Sequence, residues 1–280
     1  MFKREKTSLC VLYAISPIHA GSGMSTGAVD LPIQRERHTN WPVIQASGVK
    51  GAFRAHCRDF AENKDLLNVV FGSDSKEATP SAVSISDARL LAFPVRSNIA
   101  PFVWVVSPAL LGRLKTDLSF AGMDDTGEIP NVAESDAILI RDKNQKPSEE
   151  KLILEDSALC TKNGCEIPFL KNLVPETTRL YLVSDQIFDH LVSHCTEVQT
   201  HINIDSETGT AKGGALWYAE YLPSDTVMYV ITYYSRAQDV DVETIHSHVR
   251  GAIKDFIQIG GDETTGKGLC RVSWLNGGAA

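Results

Sequence analysis

Residues 16–58 read SPIHAGSGMSTGAVDLPIQRERHTNWPVIQASGVKGAFRAHCR, and three features crowd into this stretch. A loop of small residues, Ala20 to Ala28, opens at His19 and closes at Asp30. A short polar segment, Gln34 to His38, then adds Arg35 and Arg37. Beyond it Val49, Ala52, Phe53, His56, Cys57 and Phe60 recur at helical spacing, which predicts one apolar face of an amphipathic helix. Lys50, Arg54 and Arg58 follow one another every four residues on a different face.

Ser47 reads as the N-cap of that helix. Gly48 and Gly51 leave room for a second backbone or a phosphate at its first turn. Free N–H groups beside Lys50 make such a helix start a natural anion site. The plain alternative is a solvated charged face, the usual fate of a charge stripe. Asp30, on a glycine-rich loop beside such a helix, has the chemistry to hold a divalent cation or accept a proton in attack on a phosphodiester. Its alternative is a turn cap, and that of His19 is a buried, hydrogen-bonded ring.

The pattern H-x-G-x-G from His19, then VDLPIQRE from Val29, then SGVKGAFR from Ser47 resembles the RAMP superfamily of CRISPR proteins. More narrowly it is similar to the repeated backbone subunit of the type III-B effector, the Cmr complex. INIDSETGTAKGGALWYAEYLP, from Ile202, and the glycine-rich IGGDETTGKGLCRV, from Ile259, agree with that family. About Asp74 to Pro175 carries no usable motif.

The resemblance implies a subunit that polymerises along a CRISPR guide RNA, beside other Cmr subunits and further copies of itself, and cuts the complementary target RNA. It implies Asp30 as the catalytic residue, with His19 shaping the loop or shuttling a proton. RNA contacts are implied for Gly21, Gly23, Arg35, Ser47, Lys50, Arg54 and Arg58, and for Gly260, Gly261 and Lys267 in the C-terminal loop. A divalent metal, Mg²⁺ or Mn²⁺, is implied at Asp30. The sequence itself shows no full ligand set, although one Asp with RNA phosphates and waters suffices for Mg²⁺. The expected mechanism is attack by the target's own 2′-OH. The alternative is a structural RNA-binding subunit with the chemistry elsewhere.

The chain has 280 residues, 43% hydrophobic, enough for one large domain or two small ones. No apolar run is long enough for a bilayer span, so a soluble cytoplasmic protein is expected. The six cysteines are scattered without CxxC pairs and read as reduced thiols. A net charge of −8 speaks mildly against a nucleic-acid partner. However, Asp124, Asp125, Glu128, Glu134, Asp136, Glu149, Glu150, Glu155 and Asp156 crowd the middle, while the cations cluster in the opening segment. The local field outweighs the sum.

Strands are expected at Thr7–Ile15, Ala82–Phe93, Phe102–Val106, Thr178–Val183, Asp225–Tyr234 and Leu269–Trp274. Helices are expected at Pro108–Leu118, opened by proline, at Asp185–Cys195 and at Val242–Ile259. Gly122 to Glu150 reads as polar loop. Val198 to Pro223 predicts a protruding hairpin around the turn chemistry of Asp205 to Thr210. In the family reading it is a thumb that reaches across the nucleic-acid duplex, with Ile204, Trp217 and Glu220 as its site residues. The order of strands and helices fits an α+β, elaborated ferredoxin-like (RRM-like) RAMP fold. It would be a single domain, 1–280: a palm from about 1–60 and 225–280, an insertion at about 74–175 and the thumb at about 198–223. Gly261 to Lys267 also matches the G-x-x-x-x-G-K part of a P-loop. Gly268 replaces the Ser or Thr that would bind magnesium, and a helix is expected before the loop instead of after it. Nucleotide hydrolysis therefore ranks well below RNA contact.

Overall fold

The computed structural model describes residues 5–73, 79–123, 127–142, 151–162, 164, 167, 169–174 and 179–276. Expectations resting on Asp124, Asp125, Glu149, Glu150 and Cys165 fall outside these residues. In chain order the elements are β1 (Lys6–Ala14), β2 (Val43–Ile44), α1 (Ala46–Phe60), α2 (Leu67–Phe71), β3 (Val83–Ile85), β4 (Ala88–Arg96), β5 (Phe102–Val106) and α3 (Pro108–Phe120). There follow β6 (Asp136–Asp142), β7 (Lys151–Leu154), β8 (Ser157–Lys162), α4 (Leu170–Leu173), β9 (Arg179–Val183), α5 (Asp185–His194), β10 (Glu197–Ile204) and β11 (Ala211–Tyr221). The last are β12 (Val227–Tyr234), α6 (Val242–Ala252), β13 (Phe256–Gln258) and β14 (Leu269–Asn276).

One mixed sheet dominates this α+β fold. Its strands run β13-β14-β1-β12-β4-β5-β9-β6-β8-β7, with β2 added on β4 and β3 on β12. From β13 to β5 every neighbouring pair is antiparallel. The β5–β9 and β6–β8 pairs are parallel. Helices α1 and α6 touch each other, and His56 of α1 bonds through Nε2 to the Ala252 carbonyl at 3.1 Å. Val49 and Phe53 of α1 and Ile245 and Val249 of α6 are fully buried. Both faces of β1 and β12 are covered, so Cys10 and Leu12 are as buried as Leu9 and Val11. This explains why β1 is nearly continuously apolar.

Ser107 opens α3 by accepting the Leu110 N–H, with proline at the first turn. Ser184 caps α5 and Asp241 caps α6 in the same way.

Three sequence expectations need correction. Val242–Ile259 is not one helix: α6 stops at Ala252, and Phe256–Gln258 pairs with Leu269–Arg271 as β13. Apolar residues at 253, 256, 257 and 259 serve either period, and backbone pairing to β14 decides for strand. Ala82–Phe93 is broken into β3 and β4 around Ser86-Asp87. The stretch expected as loop from Gly122 to Glu150 contains β6, whose apolar run Ala137 to Ile140 sits among acidic residues and finds its partners in β9 and β8, distant in sequence.

Asp117 ties three elements together. Its Oδ2 accepts the Tyr229 hydroxyl of β12 at 2.6 Å and Arg89 Nη1 of β4 at 2.7 Å, from the body of α3. Tyr229 is buried, and burial followed by the neighbouring Asp117 charge pushes its hydroxyl pKa well up. Charge-assisted hydrogen bonds of this kind contribute more than neutral ones. Asp117→Ala is expected to cost about 2 kcal/mol, read by chemical denaturation. A change within the noise of an exposed substitution, below about 0.5 kcal/mol, would show that α3 is held by its apolar face alone.

Candidate functional site

The β10–β11 hairpin forms its own two-stranded sheet, and the loop after β1 clamps its foot. Ile18 exchanges backbone hydrogen bonds with Leu222 at 2.9 Å in both directions. Leu31 donates to the Tyr218 carbonyl at 3.0 Å, and its own carbonyl accepts the Glu220 N–H at 2.9 Å. Between these stitches lies Glu220, only 7% exposed. Its carboxylate accepts from Arg35 at 2.6 Å, Thr196 at 2.7 Å and the Ile33 N–H at 3.0 Å. Burial acts to raise the Glu220 carboxyl, but the hydrogen bonds from Arg35 and Thr196 outweigh it and hold the group below the usual carboxylate range. Arg35 also donates to the Asn40 and Val192 carbonyls. Arg35 is among the residues for which the resemblance implies RNA contact, and Glu220 among those of the thumb. Their charged ends instead turn into the protein and fix the hairpin to the loop.

His19 and Asp30 grip the same strand, β11. His19 Nδ1 lies 2.8 Å from the Glu220 carbonyl, and Asp30 Oδ2 accepts the Tyr218 N–H at 2.8 Å. These anchor points are two residues apart, about 7 Å along a strand. No hydrogen bond joins the two side chains. Asp30 Oδ1 makes no hydrogen bond among the described residues.

The glycines near His19 permit close approach. A Cβ on Gly21 would sit 2.7 Å from His19 Nε2, and one on Gly260 would sit 2.5 Å from the His19 carbonyl oxygen. Gly260 also has φ +93°, and the Gly261 N–H donates to that same carbonyl at 2.9 Å. Gly23 (φ +99°) stands exposed at the loop's outer turn with open space around it.

The glycine-rich loop joins β13 to β14 as a hairpin connection. Strands flank it on both sides, and this removes the strand-to-helix geometry of a P-loop.

Around Tyr221 the structure gathers a cluster that the sequence reading missed. The Tyr221 hydroxyl donates to Asp262 Oδ2 at 2.7 Å and lies 3.0 Å from His201 Nε2. Burial, then the Asp262 hydrogen bond and charge, pushes this hydroxyl's pKa well up. His201 stacks on Trp217 with ring centroids 5.4 Å apart, and the His19 ring lies 5.3 Å from Tyr221. Lys267 Nζ sits 5.0 Å above the Tyr221 ring. The hairpin, the opening loop and the C-terminal glycine loop thus meet at one tyrosine. Residues at 19, 201, 221 and 262 share no sequence spacing that announces this.

The tip of the hairpin is tied by Asp205, whose carboxylate accepts the Glu207 and Thr208 N–H groups. Along the shaft Val198, Ile202, Ile204, Leu216 and Tyr218 are exposed. They pair in register, Val198 with Glu220 and Ile202 with Leu216, so they make one apolar face. Ile204 is exposed beyond a bulge that sets it opposite Ala211, and Trp217 lies on the other face, stacked on His201.

The basic stripe of α1 does not survive as a unit. Gln45, without a side-chain cap bond, occupies the N-cap position, and Ser47 lies inside the helix. The Ala46 N–H is taken by Asp87 Oδ1 at 2.7 Å, which puts a carboxylate where an anion was expected. Arg54 donates to the Gly72 carbonyl and to Asn68 Oδ1, bracing α2. Arg58 pairs with its neighbour Asp59. Of the three, Lys50 alone makes neither a hydrogen bond nor an ion pair through its side chain among the described residues, and burial, then Arg54, lowers its pKa.

The metal expectation finds one carboxylate at this site. Among the described residues no group of three or more His, Cys, Asp or Glu is arranged to hold an ion. The donor set of the described residues alone therefore does not fit a resident divalent cation. No helix among the described residues is long and apolar enough to cross a membrane.

The family model of the RAMP superfamily matches residues 11–271. The chain is 37% identical to the CRISPR system Cmr endoribonuclease Cmr4 of Pyrococcus furiosus, over 96% of this chain and 95% of that protein. It is 24% identical to the CRISPR system CMR subunit Cmr4 of Saccharolobus solfataricus, over 94% of each. Among solved structures, oligomeric Cmr4 from Pyrococcus furiosus superposes with a TM-score of 0.76 at 30% identity, covering 97% of this chain and 98% of that one. A chain of the type III-B Cmr-beta complex bound to cognate target RNA shares the fold, with a TM-score of 0.78 at 24% identity and 96% coverage of both. With the motifs around His19, Asp30 and Gly260 set on such a scaffold, the chain belongs to the RAMP superfamily.

Proposed function

We propose that this chain is the RNA-binding backbone subunit of a type III-B CRISPR effector. It assembles in several copies along the guide RNA with other subunits of the complex, and cuts the paired target RNA at regular intervals. Three things support the reading: the near full-length similarity to an endoribonuclease, to an oligomeric form of it, and the geometry around Asp30. The strand order β14-β1-β12-β4 under α1 and α6 reads as a ferredoxin-like (RRM-like) palm. The β10–β11 hairpin is its thumb and β6–β8 part of the insertion.

The observation that carries the catalytic assignment is the position of Asp30. One carboxylate oxygen is fixed by the Tyr218 N–H at the hairpin's foot, and the other points from a loop of exposed small residues without a hydrogen-bond partner among the described residues. A target strand wedged open by the hairpin's apolar face would pass this oxygen. Asp30 takes or orients the proton of the target's 2′-OH, and the 2′-oxygen attacks the adjacent phosphorus in line. The bond to the 5′-oxygen breaks and that oxygen takes a proton from water, leaving a 2′,3′-cyclic phosphate and a 5′-hydroxyl. His19 shapes the site through its bond to the Glu220 carbonyl. Lys50, with Gly23 and Lys267, contributes to backbone contact. No step is assigned to a metal: among the described residues no group of three or more His, Cys, Asp or Glu gathers at Asp30.

The second reading, a structural subunit without chemistry, draws on the same hydrogen bond: Asp30 already has a task in holding β11. Asp30→Asn separates the two. Its amide oxygen still accepts the Tyr218 N–H, so the hairpin stays anchored, while the charge is lost. In a time course with labelled target RNA, cutting by the assembled complex should fall about 10²- to 10⁴-fold, with target binding unchanged in a gel shift. Cutting at the wild-type rate would establish the structural reading. The cut ends should carry 2′,3′-cyclic phosphate, read by mass.

The hairpin's role is tested at its exposed apolar face. Ile204→Ser with Leu216→Ser changes stability by less than about 0.5 kcal/mol per site, as exposed substitutions do. It should leave guide binding intact and reduce or misplace target cuts. An unchanged cleavage ladder would take the wedge away from these side chains.

A further inference from the structure

At the far end of β1 and β14 lies a second groove. β14 runs from Leu269, beside the glycine loop, to Asn276, and β1 from Lys6 to Ala14. At about 3.4 Å per residue these strands separate the groove from the hairpin site by roughly 24 Å. The groove has a volume of 610 Å³ and lies between α6 and the strand ends.

Its lining is cationic. Lys6, Arg250 and Lys254 face it with a single carboxylate, Glu243, in a chain whose net charge is −8. Arg250 is held in place: its guanidinium lies 5.7 Å from the Trp274 ring centre and donates to Asn276 Oδ1. Trp274 is itself fixed by its Nε1 donating to the Ile253 carbonyl at 2.6 Å. The buried His246 is held by Ser8 at 3.0 Å. The exposed Ser247 offers a hydroxyl at the rim. Lys254 is exposed and makes no hydrogen bond or ion pair among the described residues. Lys6 is paired with Glu243.

We propose that this groove is a second anion site, specific for phosphate groups. Arg250 supplies a preorganised planar fork that matches phosphate oxygens. Lys254 supplies a mobile point charge, and the Trp274 ring a face for an attached base. Glu243 acts against the ligand by sequestering Lys6, so the site is tuned below its full affinity. The shared chemistry is the phosphate group, carried by an RNA backbone or by a free nucleotide. The site stands independently of the cutting assignment at Asp30.

The full-length chain is titrated with inorganic pyrophosphate, ATP and a short single-stranded RNA while tryptophan emission is followed. A saturable change that Trp274→Phe abolishes is expected, since Trp41, Trp104 and Trp217 lie elsewhere. Lys254→Ala, at an exposed and unpaired position, should weaken binding about tenfold, as should Arg250→Ala. Glu243→Gln should tighten it a few-fold by releasing Lys6. Saturation by pyrophosphate or ATP identifies a nucleotide site, and saturation by RNA alone identifies a backbone site. The proposal is overturned if none of the three saturates, if Lys254→Ala and Glu243→Gln leave the affinity unchanged, or if polyglutamate binds where the phosphates do not.

Discussion

The Glu220 carboxylate, buried and accepting three hydrogen bonds at the foot of the hairpin, is the contact on which the site depends. Burying a carboxylate is unfavourable unless its charge and lone pairs are met. Here Arg35 meets the charge, and Thr196 and the Ile33 N–H meet the remaining oxygens. The loop that carries His19 and Asp30 is therefore locked to the strand that carries Tyr218, Glu220 and Tyr221. Without that lock the hairpin would be a two-stranded ribbon, which is marginal by itself in water.

From this junction the rest of the site acquires definite positions. His19 reads the Glu220 carbonyl, Asp30 reads the Tyr218 N–H, and the glycine loop closes on the His19 carbonyl because Gly260 has no side chain to clash there. Tyr221 then links that loop to the hairpin through Asp262 and His201. A rigid foot under an exposed apolar shaft is what the proposed wedge would require. The cationic groove at the opposite strand ends is built differently: Glu243, Ser247 and Lys254 stand exposed at its rim, and its electrostatics are correspondingly sensitive to salt.

Much of the architecture could be read from the chain because local chemistry agreed with the fold. The apolar runs of β1 and β12, the proline that opens α3, and the turn residues of the hairpin all point the same way at short range. Reading failed where two periods coincide or where a partner is distant. The residues after Ala252 suit helix and strand alike, and β13 exists only because β14 lies beside it. Likewise β6 is a short apolar run that becomes a strand by pairing with β9.

For the site, the sequence determined the chemistry on offer: an Asp and a His bracketing a loop of small residues, a second glycine loop, and a hairpin with apolar sides. Those follow from residue types and spacing. Which charges face outward was decided by the tertiary structure. Arg35, Arg54 and Glu220 look alike in sequence to residues that meet a ligand, yet their charged ends are met by Glu220, Gly72 and Arg35. The long side chains of Arg and Glu reach partners from distant parts of the chain, and spacing along the chain cannot tell a guanidinium that finds a buried carboxylate from one left in water. The grouping of His201, Tyr221 and Asp262 has the same origin, since three elements separated in sequence meet only once the sheet has closed around them.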